Sequence, residues 1–99
     1  MVVAFAPGGF ADGIARVLGA KLAERLGQSV VIENRGGASG MIGTEAMAKS
    51  APDGYTLLLS SNSSTVNLPL LRKTPYDEKS LLPIVRVGDG ISGFCVHTG

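Results

Sequence analysis

The chain alternates between short, fully apolar runs and longer stretches in which apolar residues recur at three- and four-residue steps. Val2 to Ala6 is an apolar run ended by Pro7-Gly8-Gly9, the pattern of a buried strand entering a tight loop. From Asp12 to Leu26, the residues Ile14, Val17, Leu18, Leu22 and Leu26 fall on one stripe while Arg16, Lys21, Glu24 and Arg25 lie mostly elsewhere. That spacing predicts an amphipathic helix. Gly27 is placed to cap it in the left-handed conformation, and Asp12 can accept from the free amides of its first turn. Val30 to Glu33 reads as a second strand, β-branched until its last residue, and Met41 to Ser50 as a shorter helix. Pro52-Asp53-Gly54 makes a turn before a third strand, Tyr55 to Leu59. The hydroxyl-rich run Ser60 to Thr65 then leads into a helical segment, Val66 to Leu71, interrupted by Pro69. Weaker extended segments, Leu82 to Val87 and Ile91 to Val96, flank Gly88-Asp89-Gly90. Strands alternating with helices in this order predict a single α/β domain over residues 1–99, an open, mostly parallel sheet with flanking helices and right-handed crossovers.

Composition narrows the function classes. Nine Lys and Arg against eight Asp and Glu leave a net charge of +1, which gives no electrostatic footprint for nucleic acid or for an anionic membrane surface. With 5% aromatic residues and no Trp, a stacking platform for bases is not expected either. Cys95 and His97 are each the only residue of their type, so neither an internal disulfide nor a Cys/His metal site can be assembled. No cofactor is expected. No apolar run approaches a membrane span. The N-terminal Met1 to Phe5 lacks a basic region and a small-residue cleavage site, so no signal peptide is read here. Strand-like sequence directly after Met1 reads as a trimmed start.

In an open parallel sheet, ligands bind beyond the carboxyl ends of the strands. Three loops fall there: Pro7 to Asp12, Asn34 to Gly40, and Ser60 to Thr65. The first two are rich in glycine and the third in hydroxyls, and only Asp12 and Arg35 carry charge. Backbone amides, Ser and Asn donors and helix N-termini make such an end a place for a small anion held by dipoles. The plainer reading is that the glycines only make turns and caps. Other chemistries fail on spacing. Gly8-Gly9-Phe10-Ala11-Asp12-Gly13 is not Gly-x-Gly-x-x-Gly, although Glu33 ends the second strand where a ribose-binding acid would stand. There is no Walker lysine motif and no nucleophile elbow, and His97 alone gives a catalytic triad nothing to work with. Asp53 and Asp77 sit where turns and caps account for them. No catalytic residue is assigned. A fragment of a nucleotide- or dinucleotide-binding α/β enzyme remains the alternative to an anion-binding module.

Phe5-Ala6-Pro7-Gly8-Gly9-Phe10-Ala11-Asp12, then Val31-Ile32-Glu33-Asn34-Arg35 and Pro52-Asp53-Gly54-Tyr55-Thr56-Leu57-Leu58, resemble the Bug-type solute-binding receptors of tripartite tricarboxylate transporters. The resemblance runs in order through Asn67-Leu68-Pro69, Pro75-Tyr76-Asp77 and Val96-His97. Ala4, Gly36 and Leu68 depart from it, standing where the family usually has proline. It implies part of lobe one of a two-lobe, type II periplasmic binding protein, and a periplasmic location. It also implies capture of a small carboxylate without catalysis, with membrane transporter subunits as partners of the full-length protein. The binding positions it implies on this chain are Gly8, Gly9, Phe10, Ala38, Ser39, Ser61 and Asn62. Asp12 is counted with these binding positions, expected to cap the helix or order a water more than to meet the anion directly. With the second lobe and the C-terminal return of lobe one missing, binding is expected to be millimolar or absent. Uncovered apolar surface is expected to give a homo-oligomer through Ile91 to Val96.

Overall fold

The computed structural model describes residues 1–89. Its centre is a parallel sheet in the order β2-β1-β3, made of β1 (Val2–Val3), β2 (Glu33–Asn34) and β3 (Leu58–Leu59). β1 bonds to both neighbours. The amides of Val2 and Ala4 donate to the carbonyls of Leu57 and Leu59, at 2.8 and 3.1 Å. On the other side the carbonyls of Met1 and Val3 accept from Glu33 and Arg35, at 2.9 and 2.8 Å. A central parallel strand must be apolar on both faces, and Val2, Val3 and Ala4 are all buried.

Helix α1 (Phe10–Leu26) joins β1 to β2, and α2 (Met41–Ala48) carries the chain back past β1 to β3. Right-handed crossovers taken in opposite directions place the two helices on opposite faces of the sheet. Gly27 closes α1 at φ 67°, donating to Ala23, as its position predicts. Gly43 lets α2 lie directly on the sheet: a Cβ there would stand 2.8 Å from both Ala4 Cα and the Arg35 carbonyl oxygen.

The structure departs from the sequence pattern in four places. The strands are shorter than expected, and the second is shifted towards its C-terminus, because its ladder begins where Met1 begins. α1 starts at Phe10, ahead of Asp12, which therefore sits inside its first turn. The face of α1 turned to the sheet is the small one, with Asp12, Ala15 and Gly19 buried. Val17, from the large apolar stripe, is 70% exposed. Small residues win because the side chains leading into β2 press on the helix: a Cβ on Gly19 would stand 2.9 Å from Ile32 Cδ1 and 3.5 Å from Val30 Cγ1. That leaves no room for a branched side chain. Finally, residues 63–71 are helical throughout, as a π-helical turn over Ser63–Asn67 followed by α3 (Leu68–Leu71). Pro69 lacks the amide that would bond to the carbonyl four residues earlier, and widening the preceding turn is a standard response.

Residues 81–89 are extended but join no strand among the described residues. Leu82, Ile84 and Val85 are exposed there, so the strand expected over Leu82 to Val87 is not part of the sheet. The strand expected over Ile91 to Val96, with Cys95 and His97, lies outside the described residues.

Candidate functional site

The three carboxyl-end loops meet. Gly36 lies against the loop after β1, where a Cβ would stand 2.9 Å from the Ala6 amide nitrogen. Gly40 lies against the loop after β3, its Cβ position 3.0 Å from Ser64 Cβ and 3.5 Å from Ala4 Cβ. With β1 central, the connection after β1 leads to one edge strand and the connection after β2 crosses back to the other, so the crossovers reverse direction about β1.

In the first loop, Asp12 is the organiser. One carboxylate oxygen accepts from the Gly8 amide and from Arg16 Nε, each at 3.0 Å, and the other accepts from Asn34 Nδ2, also at 3.0 Å. Asn34 Nδ2 donates in addition to the Phe5 carbonyl at 3.2 Å, tying β2 to the loop after β1. The Gly8 amide, the Arg16 guanidinium and the Asn34 amide together hold the Asp12 carboxyl at a pKa of about 2, below its ordinary 3.8. Asp12 is thus an internal brace between the loop, α1 and β2, bonded to the Gly8 amide ahead of the helix and not to the free first-turn amides it was expected to cap. The same bond occupies the Gly8 amide, so Gly8 offers a ligand no free N–H. Gly9 and Phe10 differ: the first backbone bond of α1 runs from Gly13 to Gly9, so the amides of Phe10 to Asp12 have no acceptor within the helix. Gly9, the N-cap residue, provides no side-chain cap.

The second loop is a left-handed turn. Gly37, Ala38, Ser39 and Gly40 have φ of 120°, 48°, 58° and 88°. Two non-glycine residues in succession in this region cost about 1–2 kcal/mol each, and such outliers concentrate at ligand clamps. The turn is closed by the Gly40 amide on the Gly37 carbonyl at 3.0 Å, and from below by Thr44 Oγ1 donating to the Gly40 carbonyl at 2.8 Å.

In the third loop the Ser61 carbonyl accepts from the amides of Ser64 and Thr65, both at 3.2 Å, and from their hydroxyls at 3.2 and 3.0 Å. Ser64 is fully buried and its Oγ also meets Ser60 Oγ. The Tyr76 hydroxyl, from a segment twelve residues on, donates to the Ser64 carbonyl.

A division of labour follows. Gly8, Gly9, Phe10, Ala38, Ser39 and Asn62 are exposed and Ser61 half-buried, whereas Asp12, Gly40, Thr44, Ser64 and Tyr76 are buried. The first set consists of the positions named from sequence, with the Gly8 amide already taken by Asp12. The buried set holds the remaining such position, Asp12, expected from sequence to cap the helix or order a water, together with Thr44 and Tyr76, which the sequence pattern does not single out as site residues. Their signal is faint: a threonine four residues after a left-handed glycine, and a tyrosine beside Pro75. Glu33, the position that a ribose-binding acid would take, pairs instead with Arg35 at 2.7 Å. Asp53 and Asp77 accept from the amides of Tyr55 and Lys79, the turn and cap duties expected of them. Among the described residues no group of three metal-ligating side chains forms, and no helix is long and apolar enough to cross a membrane.

Residues 14–97 match the sequence profile of the tripartite tricarboxylate transporter family receptors. Protein BugT of Bordetella pertussis is 54% identical over 92 residues, covering 90% of this chain and 28% of that protein. A UPF0065 protein of Pseudomonas sp. is 40% identical over 85 residues, covering 85% of this chain and 25% of that protein. Among solved structures, a periplasmic transporter is 43% identical with a TM-score of 0.73, over 78% of this chain and 26% of that one. A protein of R. palustris solved with adipate is 37% identical with a TM-score of 0.69, over 79% of this chain and 27% of its own. The chain spans about a quarter of the length of these relatives.

Proposed function

Because the chain belongs to the family of tripartite tricarboxylate transporter receptors, we propose that it supplies the carboxylate-facing part of lobe one of a periplasmic solute receptor. The ligand is a small carboxylate, held by the amides of Gly9 and Phe10, by the left-handed turn at Ala38 and Ser39, and by Ser61 and Asn62. Gly8 and Asp12 serve that site by shaping the first loop. The reading rests on one observation: exposed donor positions on three loops converge at the carboxyl end of the sheet, each loop braced by buried polar groups. A carboxylate placed there meets partial positive charge from a helix N-terminus and from backbone amides, with no cation required. Adipate, with which the R. palustris relative was solved, is a suitable probe. The activity is binding without chemical conversion, and the partners are the membrane subunits of the transporter.

Thermal denaturation of the chain with a panel of di- and tricarboxylates, and with nucleotides as the contrasting class, tests the proposal. Carboxylates at tens of millimolar are expected to raise the midpoint by mass action, and nucleotides to leave it unchanged. Stabilisation by nucleotides alone would overturn it.

A further inference from the structure

The loop after β3 carries Ser61 and Asn62, but nothing in that loop alone fixes its distance from the turn that carries Ser39. The contact between them runs through Ser64, whose Cβ sits against Gly40. Ser64 is held from three sides. Its Oγ bonds to Ser60 Oγ and to the Ser61 carbonyl, its amide donates to the same carbonyl, and its own carbonyl accepts from the Tyr76 hydroxyl. The first two partners belong to the same loop, so they move with it. Tyr76 alone reaches Ser64 from a separate segment, and it is 7% exposed. Thr44, fully buried and bonded to the Gly40 carbonyl, adjoins the same phenol. The phenol therefore lies at the join between the two turns, behind the exposed donors and out of reach of a ligand.

We propose that Tyr76 is a positioning residue of the carboxylate site, its hydroxyl latching the turn at 61–65 against the turn at 37–40. The consequence for binding rests on the function proposed above; the latch itself rests only on the geometry. Fixing donors in advance removes an ordering cost from binding, and two loops that drift apart cannot both reach one carboxylate. Burial raises the phenol's pKa above its ordinary 10, so the hydroxyl remains a donor at any physiological pH. Removing it leaves the buried Ser64 carbonyl without this donor, a loss of the kind that weakens local structure most.

The test is amide hydrogen exchange on the full 99-residue chain, comparing the wild type with Tyr76→Phe, which keeps the ring, and Tyr76→Leu, which does not. In Tyr76→Phe, exchange at Gly40, Ser64 and Thr65 is expected to rise about tenfold, while the amides of Ala15 to Ala23 in α1 keep their rates. A merely space-filling tyrosine predicts the opposite: no change in Tyr76→Phe, and a uniform rise across α1 and both turns in Tyr76→Leu. Unchanged rates in Tyr76→Phe overturn the latch, and that result is readable even where Tyr76→Leu does not fold. Adipate titrations of the same samples report on binding separately. Weaker shifts at Ser39 and Ser61 in Tyr76→Phe support the positioning role. An absence of adipate shifts in the wild type counts against the carboxylate reading while the exchange rates still decide the latch.

Discussion

Two regions of this chain differ in how completely they are finished. At the carboxyl end of the sheet every buried polar side chain among the described residues has a partner, glycines at 36 and 43 let backbone approach backbone closely, and Gly40 makes room for the Ser64 side chain. On the outer side of α1 the opposite holds. Phe10, Ile14, Val17 and Leu18 line an open groove with Val87, and Val17, Leu82 and Ile84 are largely exposed. One region is a braced polar cluster that displays donors to solvent. The other is apolar surface left open to solvent. The contrast shows that local polar order does not depend on a complete hydrophobic enclosure. The braces Asp12, Thr44 and Tyr76 act within and between the first loops of the fold and need no further mass.

The comparison breaks most severely at Gly43. A methyl group there meets the backbone of Ala4 and of Arg35, and neither can yield without moving β1 or β2. Gly43→Ala is expected to cost about 3 kcal/mol, a large part of the stability of a small domain. Urea unfolding measures it. A loss under about 0.5 kcal/mol would show that α2 does not press on the sheet as described.

Next in size is Asp12. Its folded pKa, about 2, lies below its ordinary 3.8, so the stability it contributes is present above about pH 4 and is lost as pH falls towards 2. Asp12→Asn is expected to lower the melting temperature by several degrees at pH 7 and to flatten the decline at acid pH. Melting curves across that range check both; parallel curves for the two proteins would remove Asp12 from its organising place.

The smallest effect on stability belongs to the outer face. Val17→Ser is expected to change unfolding free energy by less than about 0.5 kcal/mol, since an exposed valine has little burial to lose. It is nevertheless expected to reduce self-association, because the open groove at Phe10, Ile14, Val17, Leu18 and Val87 offers copies of this chain apolar surface in addition to the Ile91 to Val96 segment expected from the sequence. Light scattering over a concentration series reads this, and single-chain mass at every concentration for the wild type would sharpen the comparison in the other direction.

Much of the loop cluster was legible in the sequence because it is local. Two glycine runs and one hydroxyl run, each after an apolar run, mark strand-to-helix loops, and three such loops in one alternating pattern fall at one end of a parallel sheet. Asp12 was legible as a polar residue of the helix start, but not as the partner of Gly8 and Asn34, because the bond to Asn34 joins α1 to the end of β2. Tyr76 and Thr44 were illegible for the same reason, each acting on a residue whose neighbourhood only the fold creates. The face of α1 was misread outright. Hydrophobic spacing marks which residues would gain from burial, but Ala15 and Gly19 face the sheet because it lies too close for Val17 or Leu18. The segment from Leu82 to Val87 illustrates the limit of composition: Leu82, Ile84 and Val85 have strand-like character, yet the segment pairs with neither edge of the sheet.

The central claim is that the exposed positions of three loops form one carboxylate site. Titrating the isotopically labelled chain with adipate, while following backbone amide resonances, tests it directly. The account predicts joint, saturating shifts at Gly9, Phe10, Ala38, Ser39, Ser61 and Asn62 with one dissociation constant in the millimolar range, and little change along Lys21 to Leu26. Shifts confined to one loop, or spread over the outer face of α1 with the loop amides unmoved, would contradict it.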